Sequence, residues 1–263
     1  MKKDGHIHTP FCPHGSKDAL EHYVEKAIAC HFSEITFTEH APLPPSFDEP
    51  TPDKDGGMDL ALLPSYFTQL QQIKKYYSSQ IRINIGLEVD FIAGFEHETR
   101  QFLNEYGPLL DDSILSVHFL KWQNRYTCID FSKEVYLQYA EQLGSVQRLY
   151  QLYYETVHQS IDSDLGKYKP KRIGHPTLIH KFQHAHGEQI DDIAQIKKLM
   201  LHMQSAGYEM DFNSAGLSKP LCLEPYPPLA TLEYAHSIGL RYTFGSDAHT
   251  VQDLHQHYDL LFS

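Results

Sequence analysis

The sequence predicts an α/β fold in which residues 1–263 form a single domain, a distorted (β/α)7 barrel of the TIM type. Three observations favour this class. Short β-rich runs alternate strictly with longer runs of helical periodicity, which implies right-handed crossovers and a parallel sheet. The chain length is close to the roughly 250 residues of a typical α/β barrel. Polar side chains suited to chemistry follow nearly every predicted strand, whereas an open doubly wound sheet concentrates them at one switch point.

The predicted strands and helices alternate along the whole chain. Strands are predicted at residues 4–8, 34–39, 81–89, 113–119, 171–175, 208–212 and 240–245. Helices are predicted at residues 18–31, 63–78, 96–106, 133–160, 191–206, 229–237 and 252–261. Residues 16–18 are predicted to cap the first helix and Ser132 the fourth, while Gly207 and Gly239 stand where helices should end.

The segment 41–57 is the only stretch that resembles a linker, because it contains Pro42, Pro44, Pro45, Pro50 and Pro52. It directly follows the second predicted strand. We therefore interpret it as a long βα loop over the mouth of the barrel rather than as a domain boundary. The sequence leaves open whether this loop is a mobile lid or a rigid part of the surface.

Composition disfavours several classes of protein. The chain has 22 Lys and Arg against 34 Asp and Glu, a net charge of −12, whereas nucleic-acid-binding proteins present a basic face to phosphates. No apolar run approaches the roughly 18 residues that span a bilayer, and the first residues lack the apolar segment of a secretory signal. The four cysteines are scattered, which is typical of reduced thiols. We expect a cytosolic protein that binds neither nucleic acid nor membranes.

The unusual feature of the composition is its 18 histidines. Six of the seven predicted strands end on, or lead into, a histidine or a carboxylate, and in a parallel barrel these ends meet at the edge where enzymes hold their catalytic groups. Two residues apart on a strand, His6 and His8 face the same way and can bind one ion. Imidazole and carboxylate ligands suit zinc, manganese or iron. The strand-end residues are His6, His8, Glu39, His40, Glu88, Asp90, His118, His175, Asp247 and His249.

Other histidines and one cysteine need separate interpretation. The turn-rich segment 9–15 follows the first predicted strand and can fold His14 back onto a metal, although the residues alone leave this open. A single thiolate among imidazoles and carboxylates is a less favoured ligand, so Cys12 is left out of the predicted set. Two further H-x-H pairs, at 184–186 and 255–257, are interpreted as surface histidines, because the first lies outside any strand and the second on a helix, where residues two apart diverge.

The ordered motifs resemble those of the polymerase-and-histidinol-phosphatase (PHP) family of metallophosphoesterases, over essentially the whole chain. They are His6-x-His8, Glu39-His40, Glu88, His118, Gly174-His175-Pro176 and Asp247-Ala248-His249. Segments 4–15, 172–175 and 213–217 are similar to the histidinol phosphatase branch of the family. Pro176 and Thr177 depart from the leucine and acidic residue expected there, which bears on the wall of the pocket and not on the metal ligands.

The resemblance implies a distorted barrel with three clustered divalent ions, and the sequence does not determine whether they are zinc, iron or manganese. When the family's metal ligands are carried over position by position, each of the three ions has its own set. The first ion would be held by His6, His8, Glu88 and Asp247, the second by Glu88, His118 and His175, and the third by His14, His40 and His249. The implied activity is hydrolysis of a small phosphate monoester, L-histidinol phosphate, by a nucleophile formed from water on the bridged ions. Asp247 is the candidate for orienting or deprotonating that nucleophile, and Glu88 and His249 are the other candidate catalytic residues.

Three side chains outside this set are also candidates. Arg172 is predicted to bind phosphate, because a guanidinium can donate two parallel hydrogen bonds to a phosphate group. Strand alternation, however, places its side chain on the opposite face of the strand from His175. Glu39 and Asp4 are predicted to support the metal ligands from behind, and for Asp4 the alternative is solvent exposure.

Four other functions remain possible at this point. They are a hydrolase for another small phosphate ester, an exonuclease, a non-catalytic metal-binding module and an amidohydrolase on an eight-stranded barrel. The acidic net charge disfavours the exonuclease, since it repels a polyanionic substrate. The complete ligand set disfavours the non-catalytic module. An amidohydrolase would normally need a carboxylated lysine, which the fourth predicted strand does not supply.

Overall fold

The structure, a computed structural model, describes residues 1–262 and contains a seven-stranded parallel barrel. The strands are β1 (Lys2–Ile7), β2 (Phe32–His40), β3 (Arg82–Asp90), β4 (Ile114–Ser116), β5 (Phe119–Trp122), β6 (Arg125–Cys128), β7 (Arg172–Ile173), β8 (Glu209–Asn213) and β9 (Tyr242–Gly245). The sheet order is β1-β2-β3-β4-β7-β8-β9, while β5 and β6 form a separate antiparallel hairpin.

The α-helices follow the strands, as the alternating pattern predicts. They are α1 (Leu20–Ala29), α2 (Leu63–Tyr76), α3 (Glu96–Tyr106), α4 (Lys133–Leu143), α5 (Val146–Asp162), α6 (Ile193–Ser205), α7 (Leu232–Ser237) and α8 (Tyr258–Phe262). Apolar side chains of the strands and helices form one large buried core. Within residues 1–262, no helix is both long enough and apolar enough to cross a membrane.

The barrel is nearly closed, because the first strand joins the segment that follows the last one. The backbone N–H of His8 donates to the carbonyl of Ala248 at 2.9 Å, and that of Asp247 donates to the carbonyl of His6 at 2.8 Å. On its other side β1 pairs with β2. The prediction of a distorted seven-stranded barrel is therefore confirmed, and closure brings residues 6–8 together with residues 247–248 at the ligand edge.

The distortion lies in the fourth unit of the barrel. The predicted strand 113–119 is divided, since β4 ends at Ser116 and the chain turns at His118 into the β5–β6 hairpin. This hairpin was not predicted. Its turn places Gln123 at φ 55°, in the left-handed region, without the glycine that usually marks such a turn in a sequence.

The predicted helix 133–160 is two helices, α4 and α5. Gly144 ends α4 at φ +93°, and the Ser145 hydroxyl begins α5 by accepting from the N–H of Arg148 at 3.1 Å. The predicted cap at Ser132 is confirmed by a bond from the N–H of Val135. The predicted cap of the first helix at 16–18 is wrong: α1 begins after Ala19, which makes no side-chain cap bond.

The segment 41–57 packs against the hairpin and borders the mouth of the barrel. The ring of Phe47 contacts those of Phe119 and Tyr126 edge-on, each at 5.1 Å between centroids. Further along the loop, Thr51 and Asp55 line the cavity described below. The loop is therefore tied to the hairpin, which is itself part of the unit that bears His118.

Candidate metal centre

The carboxyl ends of the strands bring all nine predicted metal ligands to one cavity of about 410 Å³ or to its floor. The elements that supply them are β1, β2 and β3 and the segments after β1, β4, β7 and β9. Seven line the cavity directly: His14, His40, Glu88, His118, His175, Asp247 and His249. His6 and His8 are completely buried beneath it. Residues far apart in the sequence thus converge as the strand-end pattern predicts.

Glu88 lies at the middle of this cluster and is 1% exposed. Its Oε2 is 3.4 Å from His6 Nε2 and 3.1 Å from His40 Nδ1. Its Oε1 is 2.9 Å from His175 Nε2 and 3.8 Å from His118 Nε2. One carboxylate therefore presents its two oxygens to two different groups of imidazoles, which is the arrangement needed to bridge two ions.

Asp247 faces the same Nε2 atoms of His6 and His8 as Glu88 does. Its Oδ1 is 3.2 Å from His8 Nε2 and 3.5 Å from His6 Nε2, while its Oδ2 accepts from Asn213 Nδ2 at 3.2 Å. The backbone of Asp247 has φ 52°, which is uncommon for an aspartate and aims its carboxylate into the cluster. His6, His8 and Asp247 together form a group able to hold a metal ion.

The outer part of the cluster is formed by the segments that follow β1 and β9. His14 Nε2 and His249 Nε2 are 3.3 Å apart, and the His14 side chain is 39% exposed. Close by, the Cys12 thiol is buried and lies with His8, His40 and His249 in another group able to hold an ion. Glu88, His118 and His175 form a further such group.

The donor atoms of the cluster fit divalent cations. Among residues 1–262, the side-chain atoms His6 Nε2, His8 Nε2, His40 Nδ1 and Glu88 Oε2 are buried without a hydrogen-bond partner. A buried polar atom is normally paired, because leaving it unpaired costs about 1–3 kcal/mol. Several such atoms facing one another are explained when a cation lies between them, and nitrogen and oxygen donors suit zinc, manganese and iron.

Electrostatics keep the carboxylates charged. Burial by itself would lower the pKa of the His6 imidazole, but Asp247, Glu88 and Asp211 raise it well above its usual value. Burial would raise the pKa of the Glu88 carboxyl, yet His6 and His40 hold it well below its usual value. The pKa of Asp247 is also held well below its usual value, since the neighbouring imidazoles outweigh its burial. Both carboxylates are therefore ionised at neutral pH, as cation binding requires.

Three carboxylates fix the orientation of the candidate ligands from behind. His8 Nδ1 lies 3.1 Å from Glu39 Oε1, so Glu39 contacts this candidate ligand on the ring nitrogen that faces away from Asp247. His118 Nδ1 lies 2.8 Å from Asp90, and His6 Nδ1 lies 2.8 Å from Asp211. Such contacts determine which ring nitrogen faces the metal and strengthen it as a ligand.

The supporting roles of Asp90 and Asp211 were missed at the level of sequence. The available signal was strand alternation, because Asp90 lies two residues after Glu88 and Asp211 two residues before Asn213, so each pair shares a face. The sixth predicted strand, which contains Asp211, was the one strand without an assigned site residue.

Of the two predicted supporting residues, Asp4 contacts partners other than the imidazoles of the candidate ligands. Asp4 Oδ1 accepts from the N–H groups of His6 and Ser246, and its Oδ2 lies 2.8 Å from His255 Nδ1. Asp4 is completely buried, so it holds the backbone at the junction of β1 and β9 rather than an imidazole of the cluster. The interpretation of His255 as a surface histidine is also wrong, since it is buried against Phe32.

Arg172 does not reach the cavity. Its guanidinium donates to the carbonyl of Gly5 at 3.0 Å and to Asp112 Oδ2 at 2.7 Å, and the side chain is 2% exposed. It lies at the start of β7, whereas the ligands lie beyond the ends of the strands. The prediction that Arg172 binds phosphate is therefore corrected to a role in holding β1 to β7 inside the barrel.

A buried histidine outside the nine candidate ligands, His180, lies behind the cavity wall between two carboxylates. His180 Nε2 is 2.8 Å from Asp192 Oδ2, its Nδ1 is 2.6 Å from Glu224 Oε1, and its ring stacks on Tyr150. Burial opposes protonation, but these two carboxylates raise the pKa of His180 to about 9. His180 thus links the segments after β7 and β8 to the start of α6.

This raised pKa predicts a pH-dependent stability. The unfolded imidazole has a pKa of about 6.5, so the protonated His180 stabilises the fold fully below that value and loses this contribution as pH rises through about 9. We expect the difference in unfolding free energy between the wild type and His180→Gln to shrink by about 3 kcal/mol over this window. Denaturant titrations at several pH values measure it. His202→Gln, at a partly exposed ring, is the matched control, and a difference independent of pH would contradict the assignment.

The outer wall of the cavity carries a mixture of charge and aromatic surface. Lys181 Nζ pairs with Asp130 Oδ2 at 2.9 Å, and Lys219 is a second cation on this wall. Phe119 and Phe131 supply aromatic faces. The cavity therefore joins a floor of metal-ligating groups to a wall that can contact both anions and cations.

A nearly closed α/β barrel with buried carboxylates and imidazoles at the ends of its strands defines a metal-binding hydrolase. The PHP domain family matches residues 4–215, and the chain belongs to this family. The resemblance drawn from the sequence motifs is thereby confirmed.

Three relatives show how closely the chain follows this family. It is 45% identical over 261 residues to the histidinol-phosphatase of Bacillus subtilis, covering 98% of this chain and 97% of that protein. It superimposes with a TM-score of 0.93 and 42% identity on a candidate histidinol phosphatase of Listeria monocytogenes, covering 98% and 99% of the two chains. It also shares its fold with the Lactococcus lactis histidinol phosphate phosphatase solved with zinc, L-histidinol and phosphate, at a TM-score of 0.70, 20% identity and coverage of 99% and 92%.

Proposed function

We propose that this chain is a histidinol-phosphatase, a metal-dependent phosphomonoesterase that converts L-histidinol phosphate to L-histidinol and phosphate in histidine biosynthesis. The observation that carries the proposal is the position of Glu88, whose two oxygens face two groups of imidazoles on the floor of an open cavity. The similarity to the Bacillus subtilis enzyme along nearly the entire chain supports the same reaction. The four free cysteines are consistent with action in the cytosol.

We propose three divalent ions as the cofactors, zinc, iron or manganese. Their ligands are, in turn, His6, His8, Glu88 and Asp247; Glu88, His118 and His175; and His14, His40 and His249. When bound, the ions polarise the phosphoryl group and lower the pKa of water toward neutrality. Zinc in the Lactococcus lactis structure and the three donor groups of this chain support the assignment.

Within this centre the side chains have distinct tasks. Asp247 would orient the attacking water and accept its proton at Oδ1, the oxygen that faces His6 and His8, while the Asn213 amide fixes the carboxylate by donating to Oδ2. Glu88 fixes the separation of two neighbouring ions through its two oxygens. His249 approaches from the segment after β9, where it meets the phosphoryl group at the entrance of the cavity.

The outer wall fits the leaving group. L-histidinol carries an ammonium and an imidazole, which call for a carboxylate and aromatic faces. Asp130, Phe119 and Phe131 provide these across the cavity from the ligands. Lys219 provides a cation for the phosphate, in place of the buried Arg172, while Lys181 is held by its ion pair with Asp130. The segment 41–57 forms one side of this pocket through Thr51 and Asp55.

A panel of small phosphate monoesters tests the substrate. We expect L-histidinol phosphate to give a kcat/KM at least about tenfold above any nucleotide or sugar phosphate, because binding of the leaving group lowers the barrier only for the matching ester. A sugar phosphate or nucleotide that exceeds it tenfold would contradict the substrate while leaving the phosphatase chemistry in place. Asp130→Asn is the companion variant: it should lose roughly 10- to 100-fold with L-histidinol phosphate and little with an ester of an uncharged alcohol.

A further inference from the structure

Cys12 is the one buried thiol that faces the metal centre. Its Sγ, the Nε2 or Nδ1 atoms of His8 and His40, and a ring nitrogen of His249 all lie within 4.8 Å of one another. The side chains of His8 and His40 are more than nine-tenths buried, and His8 Nε2 and His40 Nδ1 have no hydrogen-bond partner within the described chain. The thiol is therefore part of a group of donors that point into the same space.

The backbone around Cys12 holds the thiol in this place. The N–H of Cys12 donates to the carbonyl of Thr9 at 3.0 Å, and Lys17 Nζ donates to the carbonyls of Cys12 and Pro10 at 2.7 and 3.0 Å. A Cβ on Gly15 would lie 2.9 Å from Cys12 Cβ, so the loop closes tightly around this side chain. Cys12 is completely buried, and the thiol consequently has little freedom to turn away from the imidazoles.

The imidazoles alone give the outer ion three protein ligands. His14, His40 and His249 provide three nitrogens, and His8 Nε2 is 3.2 Å from Asp247 in the neighbouring group, where it is needed for the first ion. Zinc in a protein usually takes four ligands in a tetrahedron, with Zn–S distances of about 2.3 Å and Zn–N distances of about 2.0–2.1 Å. The Cys12 sulfur lies in one group with His40 and His249, two of these three ligands, and is the donor placed to complete the set.

We propose that Cys12 Sγ is the fourth protein ligand of the outer ion, beside His14, His40 and His249. The outer site then has three nitrogens and one sulfur, whereas the inner sites have nitrogen and oxygen donors. A thiolate is a soft ligand that favours zinc over manganese, so the outer site selects zinc while the inner sites accept harder ions. The inference rests on the proposed metal centre and adds a ligand to it.

Cobalt(II) substitution tests this ligand without measuring activity. We expect the cobalt-loaded protein to show a near-ultraviolet sulfur-to-cobalt charge-transfer band, and Cys12→Ser to lose it while still binding cobalt at the inner sites. Cys128→Ser and Cys222→Ser are matched controls that should keep the band, because Cys128 lies on the cavity wall beside Asp130 and Cys222 is buried beside Glu224. Circular dichroism checks that each variant is folded.

Zinc affinity supplies a second measurement. Cys12→Ser should bind the most weakly held zinc at least about tenfold less tightly in chelator competition, since loss of even an indirect supporting contact costs 10- to 100-fold. Cobalt bound to the wild type without the charge-transfer band, or a band that survives in Cys12→Ser, would overturn the assignment of Cys12 and leave the metal centre in place. Failure of the wild type to bind cobalt or zinc at all would overturn the centre itself.

Discussion

Replacing Asp247 with asparagine, or His8 with alanine, is expected to reduce phosphate release by at least about 1,000-fold in kcat. Asparagine keeps the shape of Asp247 but removes the charge that faces His6 and His8 at 3.5 and 3.2 Å. Alanine at position 8 removes a nitrogen that faces both Asp247 and Glu88. Initial rates with L-histidinol phosphate and elemental analysis of the purified variants measure the two effects together.

The controls separate catalysis from folding. The circular-dichroism spectra of both variants should match that of the wild type, because neither side chain is part of the apolar core. His184→Ala is a matched substitution of an exposed histidine whose side chain lies outside the nine ligands, and it should keep full activity. Turnover near the wild-type rate in both Asp247→Asn and His8→Ala would contradict the proposed mechanism.

Removal of divalent metal is the change with the second-largest expected effect. A chelator should abolish activity and also lower the melting temperature by more than about 10 °C. Each ion that binds only the folded chain contributes about 4 kcal/mol at 1,000 times its dissociation constant, and one kcal/mol corresponds to about 2–4 °C for a chain of this length. The loss of ions also leaves Glu88 Oε2, His6 Nε2 and His40 Nδ1 buried without a hydrogen-bond partner among the described residues. Differential scanning calorimetry and phosphate release measure the two effects.

Reconstitution is the control for this experiment. Zinc, manganese and iron(II), added separately to the stripped protein, should restore both the melting temperature and the activity, each to a different extent. Full activity in protein that elemental analysis finds free of metal would contradict metal dependence. Full recovery by magnesium alone would contradict the nitrogen-rich ligand set, because magnesium prefers oxygen donors.

The sequence predicted local structure correctly where the residue type at a single position determines the backbone conformation. Ser132 caps α4 as predicted, and Gly207 and Gly239 adopt φ of +75° and +69° where helices were expected to end. The strand-end histidines and carboxylates also converge as predicted. In a parallel barrel every strand has the same direction, so residues at the ends of different strands meet without any knowledge of their packing.

The predicted roles of side chains were wrong or incomplete where several partners lie within reach of the same side chain. Arg172 carries the chemistry of a phosphate ligand, but it is buried at the opposite end of its strand against Asp112. Asp211 looked like part of an ordinary strand and instead orients His6. The β5–β6 hairpin was not predicted beyond Phe119, the last residue of the predicted strand 113–119, because its turn at Gln123 contains no glycine.

The amino-acid pattern by itself determined the class of barrel, its family and the side chains that form the floor of the site. Strand-like and helix-like hydrophobic patterns alternate along the chain, and histidine or carboxylate recurs at the predicted strand ends. Both features are local in the sequence, so they can be recognised without knowing how the side chains pack. Only the tertiary structure decided that Glu88 stands between two groups of imidazoles, that Asp90 and Asp211 hold two of the rings, and that Cys12 faces the outer group. These relations depend on distances across the closed barrel, to which residues more than 200 positions apart contribute, and no local pattern records such distances.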